Sequence, residues 1–238
     1  MKVIALILAA LAGTASAADC GPDKLNTSRT LILKREGAAY GVPQHGPLPL
    51  QKGEVVLTFD DGPSPQNTPL VLKALSEQCA KATFFMVGQN IGQQPDLARR
   101  VVSEGHSAGI HSDTHANLTS LSAWQQLEDL KRSRAIYKTT FGVETPAYRF
   151  PFLAETPVTL EALKQANITV ASVDLGINDW IPEDTTAILA QRLKDSLDKT
   201  GGGIILMHDA NGPTAQALPT LLQVLKDKGY KVVHLEWQ

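Results

Sequence analysis

Two adjacent carboxylates, Asp60 and Asp61, end the apolar run Val55–Phe59 and are followed at once by Gly62-Pro63. Further on come His111-Ser112-Asp113-Thr114-His115, then Leu206-Met207-His208-Asp209 behind another apolar run. Neutral imidazoles suit zinc and related divalent ions. A catalytic zinc commonly takes three protein ligands and leaves one position open. His111 and His115, at i and i+4, share a face if their segment is helical. The third ligand must then be anionic or another histidine, such as an Asp at a neighbouring strand end. A spare carboxylate and His208 supply a base and an acid, which completes the set needed for metal-assisted hydrolysis. In amide cleavage an acid must protonate the nitrogen as the bond breaks, and His208 is the candidate donor. Nearby carboxylates, Asp179 among them, would hold its imidazolium form and raise its pKa. Arg149 can hold a carboxylate ionised through a bidentate contact.

Each of these features has a plainer reading. Asp-Asp before Gly-Pro can be a turn with helpful side-chain hydrogen bonds. A histidine pair can lie idle on a surface, His208 can be a buried strand-end histidine, and Arg149 can be an ordinary surface arginine. His45, His106 and His234 lack partners in sequence and read as structural. Because Gly62 frees the backbone as the strand ends, both carboxylates can face one pocket, although adjacent strand residues normally point to opposite faces.

The elements that must position these groups alternate. Apolar runs predict strands over 55–59, 83–87, 107–110, 147–150, 169–173, 203–207 and 231–234. Helical patterns fall at 68–75, 95–104, 122–140, 156–166, 184–199 and about 217–228. Thr68-Pro69 reads as an N-cap followed by proline in the first turn. In the helix from 122, Trp124, Leu127, Leu130 and Ile136 have compatible apolar spacing. Pro219 must sit in a first turn or kink its helix. Repeated strand-helix order argues for parallel strands with right-handed crossovers. Seven strands can close into a barrel or form an open doubly wound sheet, and in both cases ligands gather at the carboxyl ends. The Asp-Asp pair, the His111 segment, Arg149, Asp174 and His208 all sit at such predicted ends.

Composition sets the outer bounds. The 238 residues suit one α/β domain. A formal net charge of −2 argues against nucleic acid or an anionic membrane as partner. Residues 1–17 read as a secretory signal, with Lys2, an apolar core Val3–Ala12 and Ala15-Ser16-Ala17 as the cleavage site. The apolar stretch is short for a bilayer span, and nothing later is long enough, so the mature protein is expected to be exported, periplasmic or secreted. Residues 18–52 read as a loop-like arm with a short strand near Thr30–Leu33, and 53–238 as the catalytic domain. Cys20 and Cys79 can pair in an oxidising compartment. That bond would close a loop of about sixty residues, worth roughly 4 kcal/mol in the chain-entropy account; the alternative is a buried Cys79 beside a free Cys20.

From Glu54 to the C-terminus the chain resembles the polysaccharide deacetylases, carbohydrate esterase family four or the NodB-homology group. Thr58–Pro63 matches that family's first motif and His111–His115 its His-x-x-x-His motif. Arg149-Phe150-Pro151-Phe152 resembles the third motif, with phenylalanine in the aromatic place. Asp179-Trp180 resembles the end of the fourth, and Leu206–Asp209 the fifth. The resemblance implies an α/β fold, a distorted (β/α)7 barrel, and metal-dependent removal of N-acetyl groups from N-acetylglucosamine in a β-1,4 glycan of chitin or peptidoglycan type. It implies Asp61, His111 and His115 as ligands of a divalent metal, most often zinc, with cobalt, nickel and manganese as alternatives. It makes Asp60 the base, Arg149 its orienting partner and His208 the acid supported by Asp179. The Phe152 amide would hold the oxyanion, and Trp180 with Leu206 would shape the acetyl pocket. Gly176 stands where many members carry another aspartate. Two other readings remain: an O-acetyl esterase acting on acetylxylan or a similar polysaccharide, and a carbohydrate-binding relative without catalysis.

Overall fold

The computed structural model describes residues 20–42 and 44–238; the expected signal segment, residues 1–17, lies outside the described residues. The strands are β1 (Thr27–Leu33), β2 (Ala39–Tyr40), β3 (Glu54–Asp60), β4 (Thr83–Met86), β5 (Ser107–Ile110), β6 (Ala147–Tyr148), β7 (Thr169–Ala171), β8 (Leu175–Gly176), β9 (Gly203–His208) and β10 (Lys231–Trp237). The helices are α1 (Thr68–Glu77), α2 (Gly88–Gln93), α3 (Pro95–Ser103), α4 (Ala123–Phe141), α5 (Pro157–Gln165), α6 (Thr186–Thr200) and α7 (Gly212–Asp227).

Strand β3 shows how the sequence builds the fold. All of its residues are buried, as expected where helices cover a parallel sheet. Successive side chains still face opposite ways. Val55, Leu57 and Phe59 join the main core beneath the helices. Val56 joins a second apolar cluster with Leu33, Leu48, Ile204, Val233 and Leu235. Thr58 and Asp60 continue that second row upward, and Asp60 ends it.

Parallel pairing runs β8-β9-β3-β4-β5-β6-β7, a distorted (β/α)7 barrel. Its composition differs from the expected seven strands. The C-terminal strand β10 does not complete the ring; it pairs with the lower end of β3 and, on its other side, with β1. The seventh place belongs to β8, whose two residues are too few for periodicity to reveal. Among the described residues β7 and β8 are not paired. Instead β2, from the arm, runs parallel to β7, so the arm supplies two strands and belongs to the sheet.

Other expectations shift as well. The helix near residue 68 is capped by Asn67, not Thr68. The Thr68 hydroxyl accepts from the Ser64 amide and donates to the Asp209 carboxylate. Helix α2 was hidden between two glycines. Helix α7 begins at Gly212, so Pro219 lies in its interior. Helix α4 does carry a capping box of Ser122 and Gln125 and ends at Gly142 in a left-handed conformation. Trp124 and Leu127 on it are exposed and do not serve the core.

Cys20 is bonded to Cys79, with a Cα–Cα distance of 5.7 Å. Beside that bond, the Asn26 and Thr27 amides donate to the carbonyls of Gln78 and Cys79. The enclosed sequence separation is 59 residues. Replacing both cysteines by serine is expected to lower unfolding free energy by about 4 kcal/mol, read as a lower urea midpoint. An unchanged midpoint would show that the bond does not tie the arm to the barrel.

Candidate active site

The chemistry-bearing residues sit where strands end. Asp60 is the last residue of β3; His111, Arg149 and Asp209 follow β5, β6 and β9, and His208 closes β9. They surround a cleft of about 480 Å³ lined by Asp60, Asp61, His111, His115, Phe152 and His208, among others. Asp174 departs from expectation. Its carboxylate accepts from the Val42 and Ile204 amides, at the opposite end of β9, and is no part of this site. A second hollow, about 570 Å³, lies at that lower end. Its carboxylates are already engaged: Asp174 by those amides, Glu54 by Arg29 and the Gln51 amide.

Asp60 and Asp61 reach one pocket because the turn begins at Asp61 itself, which adopts φ 75°. The backbone leaves the strand there, so the alternation of faces no longer applies. Gly62 is needed for a different reason than turning. A Cβ on it would lie 2.2 Å from the Asp209 carboxylate. The turn is held by Asn90 Nδ2 donating to the Asp61 carbonyl at 2.7 Å and by the Val87 amide donating to the Gly62 carbonyl.

The histidine pair meets without a helix. Residues 111–115 form a loop in which Ser112 and His115 take positive φ (61° and 58°), and the His115 amide donates to Ser112 Oγ. The imidazoles of His111 and His115 lie 5.0 Å apart, centre to centre. His111 Nε2 is 3.5 Å and His115 Nε2 is 3.2 Å from Asp61 Oδ1.

That arrangement fits a cation. His111 Nδ1 lies 2.9 Å from the Arg149 carbonyl. A carbonyl can only accept, so Nδ1 carries the hydrogen. Burial drives the His111 pKa down to about 3 against the pull of Asp61, so Nε2 presents a lone pair to Asp61 Oδ1. That oxygen is buried and has no hydrogen-bond partner. Acceptor facing acceptor is unfavourable unless a positive ion lies between them. One ligand atom from each of Asp61, His111 and His115 falls within 4.8 Å of the others. Donors about 2.0–2.2 Å from a tetrahedral ion would stand roughly 3.4 Å apart, close to the distances seen.

Asp60 has the opposite environment. Arg149 Nη1 donates to its Oδ1 at 2.7 Å, a single contact where a bidentate one was expected. The other donors of Arg149 go to Thr58 Oγ1 and to the carbonyls of Ala171 and Ser172. Its guanidinium stacks 4.2 Å above the Phe85 ring. Arg149 is wholly buried, so the surface reading is excluded. Burial raises the Asp60 pKa, and Arg149 opposes that rise. The result is a carboxylate with more basicity than an exposed one.

His208 stands across the cleft. Its Nδ1 lies 2.8 Å from Asp179 Oδ1, and its backbone amide donates to Asp179 Oδ2 at 2.8 Å. Thr214 donates to the same Oδ2. Burial would lower the His208 pKa, but the Asp179 bond and the charges of Asp179, Asp60 and Asp61 overcome it and raise it to about 9. Stability from this contact is full below the unfolded value near 6.5 and fades as pH rises through about 9. Phe152 and Trp180 rim the cleft, 64% and 54% exposed. The Phe152 ring lies 4.7 Å from His115 and the Trp180 ring 5.9 Å from His208. Leu206 also lines the cleft. Sequence reasoning gave no role to Thr58 or Thr214. Both are small hydroxyl residues inside an apolar run or a helix start, where nothing marks them before the partner guanidinium and carboxylate are seen.

Similarity to known proteins bears on this geometry. The polysaccharide deacetylase profile matches residues 48–171. A peptidoglycan-N-acetylglucosamine deacetylase of Listeria monocytogenes is 34% identical over 183 residues, 76% of this chain and 38% of its own length. The chain therefore spans about two fifths of that relative. A chitooligosaccharide deacetylase of Bradyrhizobium is 30% identical over 193 residues, covering 75% of this chain and 87% of the relative. Among solved structures, a peptidoglycan deacetylase of Bdellovibrio bacteriovorus superposes with TM-score 0.78 at 30% identity, covering 93% of this chain and 63% of that one.

Removing Arg149 would leave Asp60 buried without its cation. Arg149→Leu is expected to cost about 3–5 kcal/mol of stability, measured by urea unfolding. Arg149→Lys keeps the charge but not the fork and should fall between the two.

Proposed function

Because the chain belongs to the polysaccharide deacetylase family, we propose that it removes N-acetyl groups from N-acetylglucosamine residues of a β-1,4 glycan, chitooligosaccharide or peptidoglycan, releasing acetate. The observation that carries this reading is the unpartnered Asp61 oxygen facing two imidazoles, with a buried carboxylate on one side and a carboxylate-backed histidine on the other. The printed activities of the Listeria, Bradyrhizobium and Bdellovibrio relatives support the substrate class.

In this reading Asp61, His111 and His115 hold a divalent metal, zinc by the nitrogen-rich donor set. Such an ion supplies Lewis-acid polarisation of the carbonyl and makes water more acidic. Asp60, kept charged by Arg149, takes the proton from the attacking water. The Phe152 backbone N–H helps to hold the oxygen on which charge develops. As the carbon–nitrogen bond breaks, His208 gives its proton to the nitrogen, and a free amino sugar leaves. Asp179 keeps His208 charged until that moment. Trp180 and Leu206 border the space for the acetyl methyl. Residues 53–238 form the catalytic unit, with the described arm residues, 20–42 and 44–52, built onto it. Export is proposed from the signal-like start, and the Cys20–Cys79 bond accords with an oxidising compartment. No helix among the described residues is long and apolar enough to cross a membrane.

The purified protein with zinc should release acetate from chitooligosaccharides or peptidoglycan, and Asp60→Asn should release it roughly 10²–10⁴-fold more slowly. No acetate from either glycan rejects the substrate class. Acetylxylan tests the ester reading: an ester needs less leaving-group protonation, so His208→Ala should impair ester cleavage less than amide cleavage. Rising pH should reduce turnover through about 9 as His208 loses its proton. Asp179→Asn should move that limb to lower pH; an unmoved limb would mean that another group sets it.

A zinc titration followed by calorimetry provides an independent check. Wild type should bind one equivalent, and Asp61→Ala with His111→Ala should bind none. Equal binding by both would place the ion elsewhere.

A further inference from the structure

The loop that carries Phe152 is strained. Phe152 and Leu153 adopt φ 58° and 54°, left-handed values that bulky residues avoid. Such strain persists only where the surroundings over-determine it. Two bonds come from the loop itself: the Leu153 amide to the Phe150 carbonyl and the Ala154 amide to the Pro151 carbonyl. The others come from the N-terminal arm. Gln44 Nε2 donates to the Leu153 carbonyl at 2.7 Å, and His45 Nε2 lies 2.8 and 3.0 Å from the two Glu155 carboxylate oxygens.

The arm is itself anchored at the catalytic frame. The Ser172 hydroxyl donates to Gln44 Oε1, while the Ser172 carbonyl accepts from Arg149. The Ser172 amide donates to the Tyr40 carbonyl, and the His45 amide closes a tight turn onto Gly41. Gly41, at φ 114°, lies so near β7 that a Cβ would be 2.7 Å from the Ser172 backbone. One glutamine thus spans from the segment that braces Arg149 to the strained loop. Neither Gln44 nor His45 lies within the segment matched by the family profile, which begins at residue 48.

We propose that Gln44 and His45 are positioning residues for the reaction, a clasp from the arm that holds the Phe152–Glu155 loop in the conformation that sets the Phe152 amide and ring at the cleft. This rests on the deacetylase reading above. An arm contact needed only for stability would end on the sheet at β2; this one reaches past it to the loop.

Gln44→Glu keeps the size of the side chain and its acceptor for Ser172 but replaces the donor to Leu153. Gln44→Glu and His45→Ala are each expected to lower kcat about 10-fold to 100-fold, with KM and melting temperature little changed, the loss typical of a misplaced catalytic group. His45→Gln, which can still donate to Glu155, should restore most of the turnover lost in His45→Ala. Hydrogen exchange at the Leu153 and Ala154 amides should quicken in Gln44→Glu and His45→Ala. Wild-type kcat and unchanged exchange in the double variant Gln44→Glu/His45→Ala would overturn the clasp. If the parent protein releases no acetate from any glycan or ester, the deacetylase reading itself fails, and the positioning role falls with it whatever the exchange shows.

Discussion

A single buried cation organises the upper half of this barrel. Moving a guanidinium out of water is expensive unless its donors are met and its charge is balanced. Arg149 meets this condition by drawing on several strands at once. It rises from the end of β6, bonds the carbonyls of Ala171 and Ser172 at the end of β7, and bonds Thr58 and Asp60 on β3. The Thr58 hydroxyl in turn donates a hydrogen bond to the Ile205 carbonyl on β9. A register shift of one residue in any of these strands would strand a charge in the interior. The requirement is structural, yet its outcome is chemical: the carboxylate chosen to balance the cation also faces the cleft, and the carbonyl of the same arginine sets the tautomer of His111.

The aspartates of the site show how environment divides labour among identical side chains. Asp60 is buried against a guanidinium. Asp61 turns out of the strand toward two imidazoles. Asp179 is spent on His208 and Thr214. Asp209 has neither cation nor histidine; burial raises its pKa to about 7, and the Thr68 bond only tempers this. One of its oxygens has no partner. It lies directly under the Asp61-Gly62 turn, where a Cβ on Gly62 would meet its carboxylate. Sequence placed it only as the residue after His208.

What could be read beforehand follows from how each signal is encoded. The Asp60-Asp61 pair, the two histidines, Arg149 and His208 were legible because rare residue types follow apolar runs, and parallel strands bring run ends together. The long helices were legible from their apolar spacing, whereas the one cap read from the sequence, Thr68, gave way to Asn67. Strands β2 and β8, two residues each, carry no period, and so the identity of the seventh barrel strand was misread. The loop from His111 to His115 shares its i, i+4 spacing with a helix, although positive φ at Ser112 and His115 is what joins the rings. Asp174 followed an apolar run like the others, but it stands just before β8, and its carboxylate is taken by the Val42 and Ile204 amides.

The placement of β1 and β2 also changes what counts as the domain. A truncation made where the family resemblance begins would leave Cys79 as a lone thiol. It would uncover the backbone of β10 along one side and of β7 along another. Open, apolar strand edges invite pairing with other molecules. A shortened protein of this kind would be prone to aggregate even with every catalytic side chain intact.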